Sequence, residues 1–179
     1  MNIQRSAGRA FVAFFKYPWQ FILYSLAAML LSAVTLGILA PAMWLGMGGM
    51  FLQAADGVKP SAEGLFKYID KTLTLALMGF IAGISIITGL ILLLIPGLIL
   101  AALWFYAPYY MAESGAGIME SLKLSAFTVN KNSLFGHVAL VVSLALILAV
   151  GFNTVVLSLA AYPLCAGFSA FLFKSVKEG

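Results

Sequence analysis

Charge is what this chain has least of. Of its 179 residues only 9% are Asp, Glu, Lys or Arg, and 63% are hydrophobic. A soluble domain carries about a quarter charged residues to face water. A water-exposed globule is therefore excluded, and lipid is the expected solvent. Cysteine and histidine are equally scarce, one of each, Cys165 and His137. No internal disulfide can form, and no closed zinc or iron–sulfur site can be built from protein ligands alone, because such sites need about four of them. No G-x-S-x-G, H-E-x-x-H or P-loop occurs. These absences argue against an enzyme and against any bound cofactor.

The few charges are not scattered. All sixteen lie in residues 1–16, 56–71, 113–131 and 174–179. Between them run three charge-free stretches, 17–55, 72–112 and 132–173, of 39, 41 and 42 residues. A forty-residue helix would be roughly 60 Å long, twice the ~30 Å hydrocarbon core. Tilt of about 20° cannot absorb that excess, so each stretch is expected to cross twice. The fold class that follows is all-α: a polytopic integral membrane protein of six transmembrane helices in three hairpins, forming one transmembrane domain with short interfacial helices.

Each stretch carries a turn signal near its middle: Leu36-Gly37 to Pro41, the pair Pro96-Gly97, and Gly151-Phe152-Asn153. Proline breaks the incoming ladder and glycine permits a tight turn, so Pro96 and Gly97 are the expected corner of the second hairpin. The spans are placed at 19–36, 39–54, 72–94, 97–112, 134–151 and 154–173, with kinks at Pro108 and Pro163. Two crossings per stretch return every charged segment to one face. Loops rich in Lys and Arg stay inside, so that face and both termini are expected to be cytoplasmic, in a bacterial or archaeal inner membrane. The apolar run after the basic start exceeds a signal-peptide core, which favours a retained span over a cleaved leader.

The charged segments have their own patterns. In residues 1–16, Ile3, Ala7, Ala10, Phe11, Phe14 and Phe15 recur at helical spacing beside Arg5 and Arg9, as in a basic helix lying in the interface. Arg5, Arg9 and Lys16 are the expected contacts to lipid headgroups; a helical extension of the first span is the alternative. In 56–71, Ser61 is a candidate cap for a short helix turning Leu65, Phe66 and Ile69 to lipid. In 113–131, Ser114 is a candidate cap of a second interfacial helix bearing Ile118, Met119, Leu122 and Phe127. The net charge of +4 is read as topology and lipid contact, not nucleic-acid binding.

Residues 95–132, IPGLILAALWFYAPYYMAESGAGIMESLKLSAFTVNKN, resemble the signature of a prokaryotic superfamily of six-helix membrane proteins. The superfamily includes the membrane domain of some glycerophosphodiester phosphodiesterases. The positions that carry the resemblance are Pro96, Gly97, Pro108, Gly117, Glu120, Ser125, Asn130, Lys131 and Asn132, with Ser121 departing from the usual small residue after the glutamate. The resemblance implies six spans and no activity, since the soluble phosphodiesterase domain is absent.

Within the spans the informative residues are small. Gly79 and Gly83 form a G-x-x-x-G, and Gly46, Gly48 and Gly49 cluster beside Met43, Met47 and Met50. Small residues let helices approach in lipid and methionine fills irregular gaps. Packing within the bundle and contact with a partner are both open, and the glycine-methionine stretch is the expected partner or lipid-facing surface. Trp19, Tyr17, Tyr106, Tyr109 and Tyr110 suit interfacial anchoring, while Trp104 falls mid-span. His137 is expected to make a local hydrogen bond; a proton-handling role or a dyad with Ser133 or Ser143 is the alternative. The expected function is a non-catalytic accessory or assembly subunit of a membrane complex, with membrane lipids and other subunits or itself as partners. The alternatives are a carrier or flippase for lipid or another hydrophobic molecule, and a homo-oligomeric pore lined by Thr88, Asn153 and Thr154.

Overall fold

The structure, a computed structural model, describes residues 3–151 and 154–177. The described residues form ten α-helices and no strand: α1 Ile3–Lys16, α2 Pro18–Val34, α3 Ala40–Ala55, α4 Ala62–Leu65, α5 Thr72–Leu92, α6 Leu94–Leu103, α7 Ala107–Ser114, α8 Ile118–Asn132, α9 Leu134–Gly151 and α10 Val155–Lys177. Four helical segments are long and apolar enough to cross a membrane: Ala62–Leu92, Leu94–Ser114, Leu134–Gly151 and Leu157–Lys177. The bent pair α1–α2 makes a fifth if taken as one span. Both arms of the first hairpin are short. Seventeen residues in α2 and sixteen in α3 rise only about 24–26 Å, less than the ~30 Å core.

The chain divides into two compact units, residues 1–72 with 147–179, and residues 73–146. In the first, α10 packs on α3, α1 and α2, and α4 on α3. Its core is aromatic and sulfur-rich. The Phe21 and Phe51 rings lie 4.0 Å apart, Phe14 stacks on Phe21 at 6.1 Å, and Trp44 meets Tyr162 edge-on at 5.3 Å. Met43, Met47 and Met50 are fully buried, as are Gly46 and Gly48. The glycine-methionine stretch thus points inward and is not the outward contact surface its composition suggests.

Gly46 explains why. A Cβ there would strike the Leu65 carbonyl, so the missing side chain is what lets α4 rest on α3. Ser61 does cap α4, accepting from the Gly64 N–H at 3.3 Å. Leu65, expected to face lipid, is buried in that contact instead. On α10 the same logic places Gly167 against the Phe51 ring. α10 runs unbroken through Pro163. The turn at Phe152 and Asn153 lies outside the described residues.

In the second unit the corner between α5 and α6 falls at Leu93, the one extended residue (φ −156°, ψ 117°), and not at Pro96-Gly97. Pro96 is the third residue of α6, where an N–H has no helical partner anyway. Its ring forbids a continuous ladder onto Leu92, so the break must come just upstream. Gly97 is helical and serves close approach. A Cβ on it would lie 2.5 Å from the Leu90 backbone nitrogen, and one on Gly89 would lie 2.9 Å from the Gly97 Cα.

α8 then packs on α6 and α7. It buries Ser121, Leu122, Ser125, Thr128 and Val129 while Met119 and Phe127 stay exposed. Ser114 closes α7, donating to the Tyr110 carbonyl at 2.6 Å, and Gly115 follows in the left-handed region at φ 68°. Ser114 therefore does not cap the next helix. Gly117 holds that position, without a side-chain bond.

Candidate functional site

The polar side chains buried in the second unit gather where the apolar segment Leu94–Ser114 breaks. Pro108, second residue of α7, cannot donate to the Trp104 carbonyl, so the helix opens over Trp104–Tyr106. An opened helix leaves backbone groups that lipid cannot satisfy. Ser125, fully buried on α8, reaches across and closes both ends. Its hydroxyl donates to the Leu103 carbonyl at 2.6 Å and accepts from the Tyr106 N–H at 3.1 Å.

Tyr106 is itself fully buried, and so is His137. The two side chains meet with Tyr106 Oη 3.1 Å from His137 Nε2. His137 Nδ1 lies 2.7 Å from the Ser133 carbonyl. A carbonyl only accepts, so Nδ1 carries the proton. In the neutral ring Nε2 is then the acceptor and the tyrosine O–H the donor. The relay runs from Tyr106 through the imidazole to a backbone oxygen one turn back. Beside it, Tyr110 Oη pairs with Thr128 Oγ1 at 2.7 Å, and Asn132 Nδ2 donates to the Thr128 carbonyl at 3.0 Å.

Ser133, whose carbonyl accepts the hydrogen bond from the imidazole N–H, joins α8 to α9 with φ 123°, a strained value for a residue with a side chain. Its hydroxyl accepts from the Gly136 N–H at 3.2 Å. Ser143 donates to the Ala139 carbonyl at 2.8 Å. Neither serine hydroxyl meets the imidazole, and both ring nitrogens are already engaged. The cluster is thus a set of paired donors and acceptors that ties α7, α8 and α9 together. Among the described residues no group of three or more His, Cys, Asp or Glu is placed to hold a metal.

No match anchors a family. Comparisons with protein-family models, with curated proteins and with solved structures all return nothing similar to this chain.

The motif positions read from the sequence nevertheless converge within this unit. Pro96 and Gly97 shape the start of α6, Pro108 opens the break, Gly117 starts α8 and Ser125 bridges the break. Glu120, Asn130 and Lys131 lie exposed on α8. Tyr106 and Tyr109, expected as interfacial anchors, are buried in the unit, because Tyr106 is needed by His137. Trp104 is the C-cap of α6 and lies at the middle of the candidate span Leu94–Ser114. No sequence motif marks Tyr106 or Thr128 as a polar-site residue. The signal lay in α8, where Ser121, Ser125 and Thr128 recur at helical spacing on one face.

The remaining expected contacts lie elsewhere. Gly79 is exposed on α5, and a Cβ on Gly83 would meet nothing within 4 Å. Gly49 also has open space, and Thr88 and Thr154 are exposed. Arg5, Arg9 and Lys16 are exposed on α1, while Ala10 and Phe14 are buried against α3 and α10, Phe14 in place of the interfacial position expected for the phenylalanines. Phe11 and Phe15 keep the outward position.

Proposed function

We propose that this chain is a non-catalytic, six-span inner-membrane protein of the superfamily that residues 95–132 resemble. In this reading both termini are cytoplasmic, and the protein acts as an accessory or assembly subunit of a membrane complex. One observation carries the reading. Leu73, Leu77, Phe80, Ile84, Ile87 and Ile91 recur on α5 in alternating steps of four and three, and all are at least half exposed. Such a row is the geometry of a helix–helix seam, and among the described residues its side chains are left exposed. Exposed Gly79 and open Gly83 lie alongside, where a second backbone could come close. The satisfied polar cluster supports the same reading, since it binds helices together and presents no nucleophile.

The test is purification in mild detergent from the native membrane. A subunit brings down defined partner proteins, and Phe80→Ala combined with Ile84→Ala releases them without altering the thermal stability of the isolated chain. Recovery only as a free monomer, with complex assembly unaffected by deletion, removes the proposal. A lipid carrier is the second reading, favoured by the basic surface cleft described below. Reconstituted liposomes must then move labelled lipid faster than empty ones.

A further inference from the structure

The first unit holds a cleft of about 610 Å³, open to the surface, that the functional reading above does not use. Its walls come from α1, the end of α3 and the end of α10. On α1, Arg5, Arg9 and Lys16 fall on one stripe, four and then seven residues apart, and all three line the cleft. Lys174 enters from α10, and Asp56 from the cap of α3. Four cations thus surround one carboxylate.

The rest of the lining is apolar, with Val12, Leu52 and Phe171 among the charges. Val12 is 71% exposed although it lies in the basic row. The opposite flank of α1 carries Phe11 and Phe15, also exposed, with rings 5.5 Å apart. α1 turns 98° from α2 at Pro18, so if α2 crosses the bilayer, α1 runs along its surface. A free anion needs the cations alone. A ligand that needs cations and adjoining exposed hydrocarbon together is a phospholipid.

Asp56 narrows the class further. An exposed carboxylate inside a cationic lining repels a bare phosphate and accepts hydrogen bonds from hydroxyls. We infer that this cleft binds the headgroup of an anionic glycerophospholipid that carries free hydroxyls. Arg5, Arg9, Lys16 and Lys174 hold the phosphate, Asp56 takes the headgroup hydroxyls, and the acyl chains leave along Val12. The inference rests on the membrane reading of the chain and is independent of the accessory role.

The experiment uses the full-length protein, delipidated in detergent and titrated with phosphatidylglycerol, with bound lipid counted by native mass spectrometry. Phosphatidylcholine, phosphatidic acid and inorganic phosphate are the comparison ligands. Phosphatidylglycerol should bind at least about tenfold tighter than phosphatidylcholine, and millimolar phosphate should not displace it. Arg9→Gln combined with Lys174→Gln should weaken it roughly thirtyfold, as two cations near an anionic group imply. Both side chains are exposed, so circular dichroism should stay unchanged. Lys123→Gln, on α8, should have no effect. Asp56→Asn should lower the preference for phosphatidylglycerol over phosphatidic acid. Equal binding of phosphatidylglycerol and phosphatidylcholine, or an unaffected double variant, overturns the site. Displacement by inorganic phosphate overturns the lipid assignment. An unchanged preference in Asp56→Asn overturns the role of the hydroxyls.

Discussion

Ser125 shows how much one buried hydroxyl can hold. It faces two backbone groups released by Pro108, one donor and one acceptor, and its hydroxyl serves both in turn. In Ser125→Ala both groups lose their partner, a loss of roughly 2–4 kcal/mol for the pair. Thermal unfolding in detergent should show the drop. Ser85→Ala should be close to neutral, because Ser85 only donates to the Ile81 carbonyl on an exposed helix face. His137 belongs to the same economy of paired groups. Its tautomer is set by a carbonyl that can only accept, and its second nitrogen by a tyrosine hydroxyl that can give.

At the scale of elements, glycine does two unlike things. Gly46 and Gly97 sit where a neighbouring backbone or side chain already occupies the place of a Cβ, whereas Gly83 faces open space. Gly46→Ala must push α4 off α3, and overpacking of that kind costs about 1–3 kcal/mol. Gly83→Ala should stabilise the isolated chain by about 0.5–1 kcal/mol through backbone entropy. Melting curves of the two variants should therefore shift in opposite directions. A drop in both would show that α5 is already packed against a partner in the purified protein. The break between α6 and α7 is an element-scale feature of another kind. Proline opens it, but a serine from a different helix makes it tolerable.

Across the whole molecule, the placement of charge makes a claim about sidedness. Lys59 and Glu120 lie in exposed positions of the second and third charged segments, and Leu36, 93% exposed with φ 51°, lies at the uncharged turn between α2 and α3. Native Cys165 is buried and should stay silent to a membrane-impermeant maleimide. In intact cells Leu36→Cys should be labelled from outside, whereas Lys59→Cys and Glu120→Cys should label only after the membrane is opened. Labelling of both Leu36→Cys and Lys59→Cys from outside would place an odd number of crossings between the first and second charged segments, or a non-crossing first hairpin. Labelling of Lys59→Cys from outside at all would end the cytoplasmic placement of the charged segments.

Helix content, the approximate limits of the apolar helices and their fitness to cross a membrane were legible in the chain, because they depend on local composition. Charged side chains cannot stay in hydrocarbon, and proline cannot continue a hydrogen-bond ladder, whatever surrounds them. Even so, the corner could be read only to within a turn. Pro96 forbids the ladder upstream of itself, so the extended residue is Leu93. Which face of a helix turns inward was not legible, because these helices are apolar on both faces and the pattern that sorts inside from outside in a water-soluble helix is missing. Met43, Met47 and Met50 look the same in sequence whether they meet a partner or Phe51. Tertiary contacts alone put Leu65 on Gly46, buried Tyr106 against His137, and brought Lys174 to the row of Arg5, Arg9 and Lys16 across more than 150 residues of chain. Contacts of that separation depend on the geometry of packed helices, which no local spacing encodes.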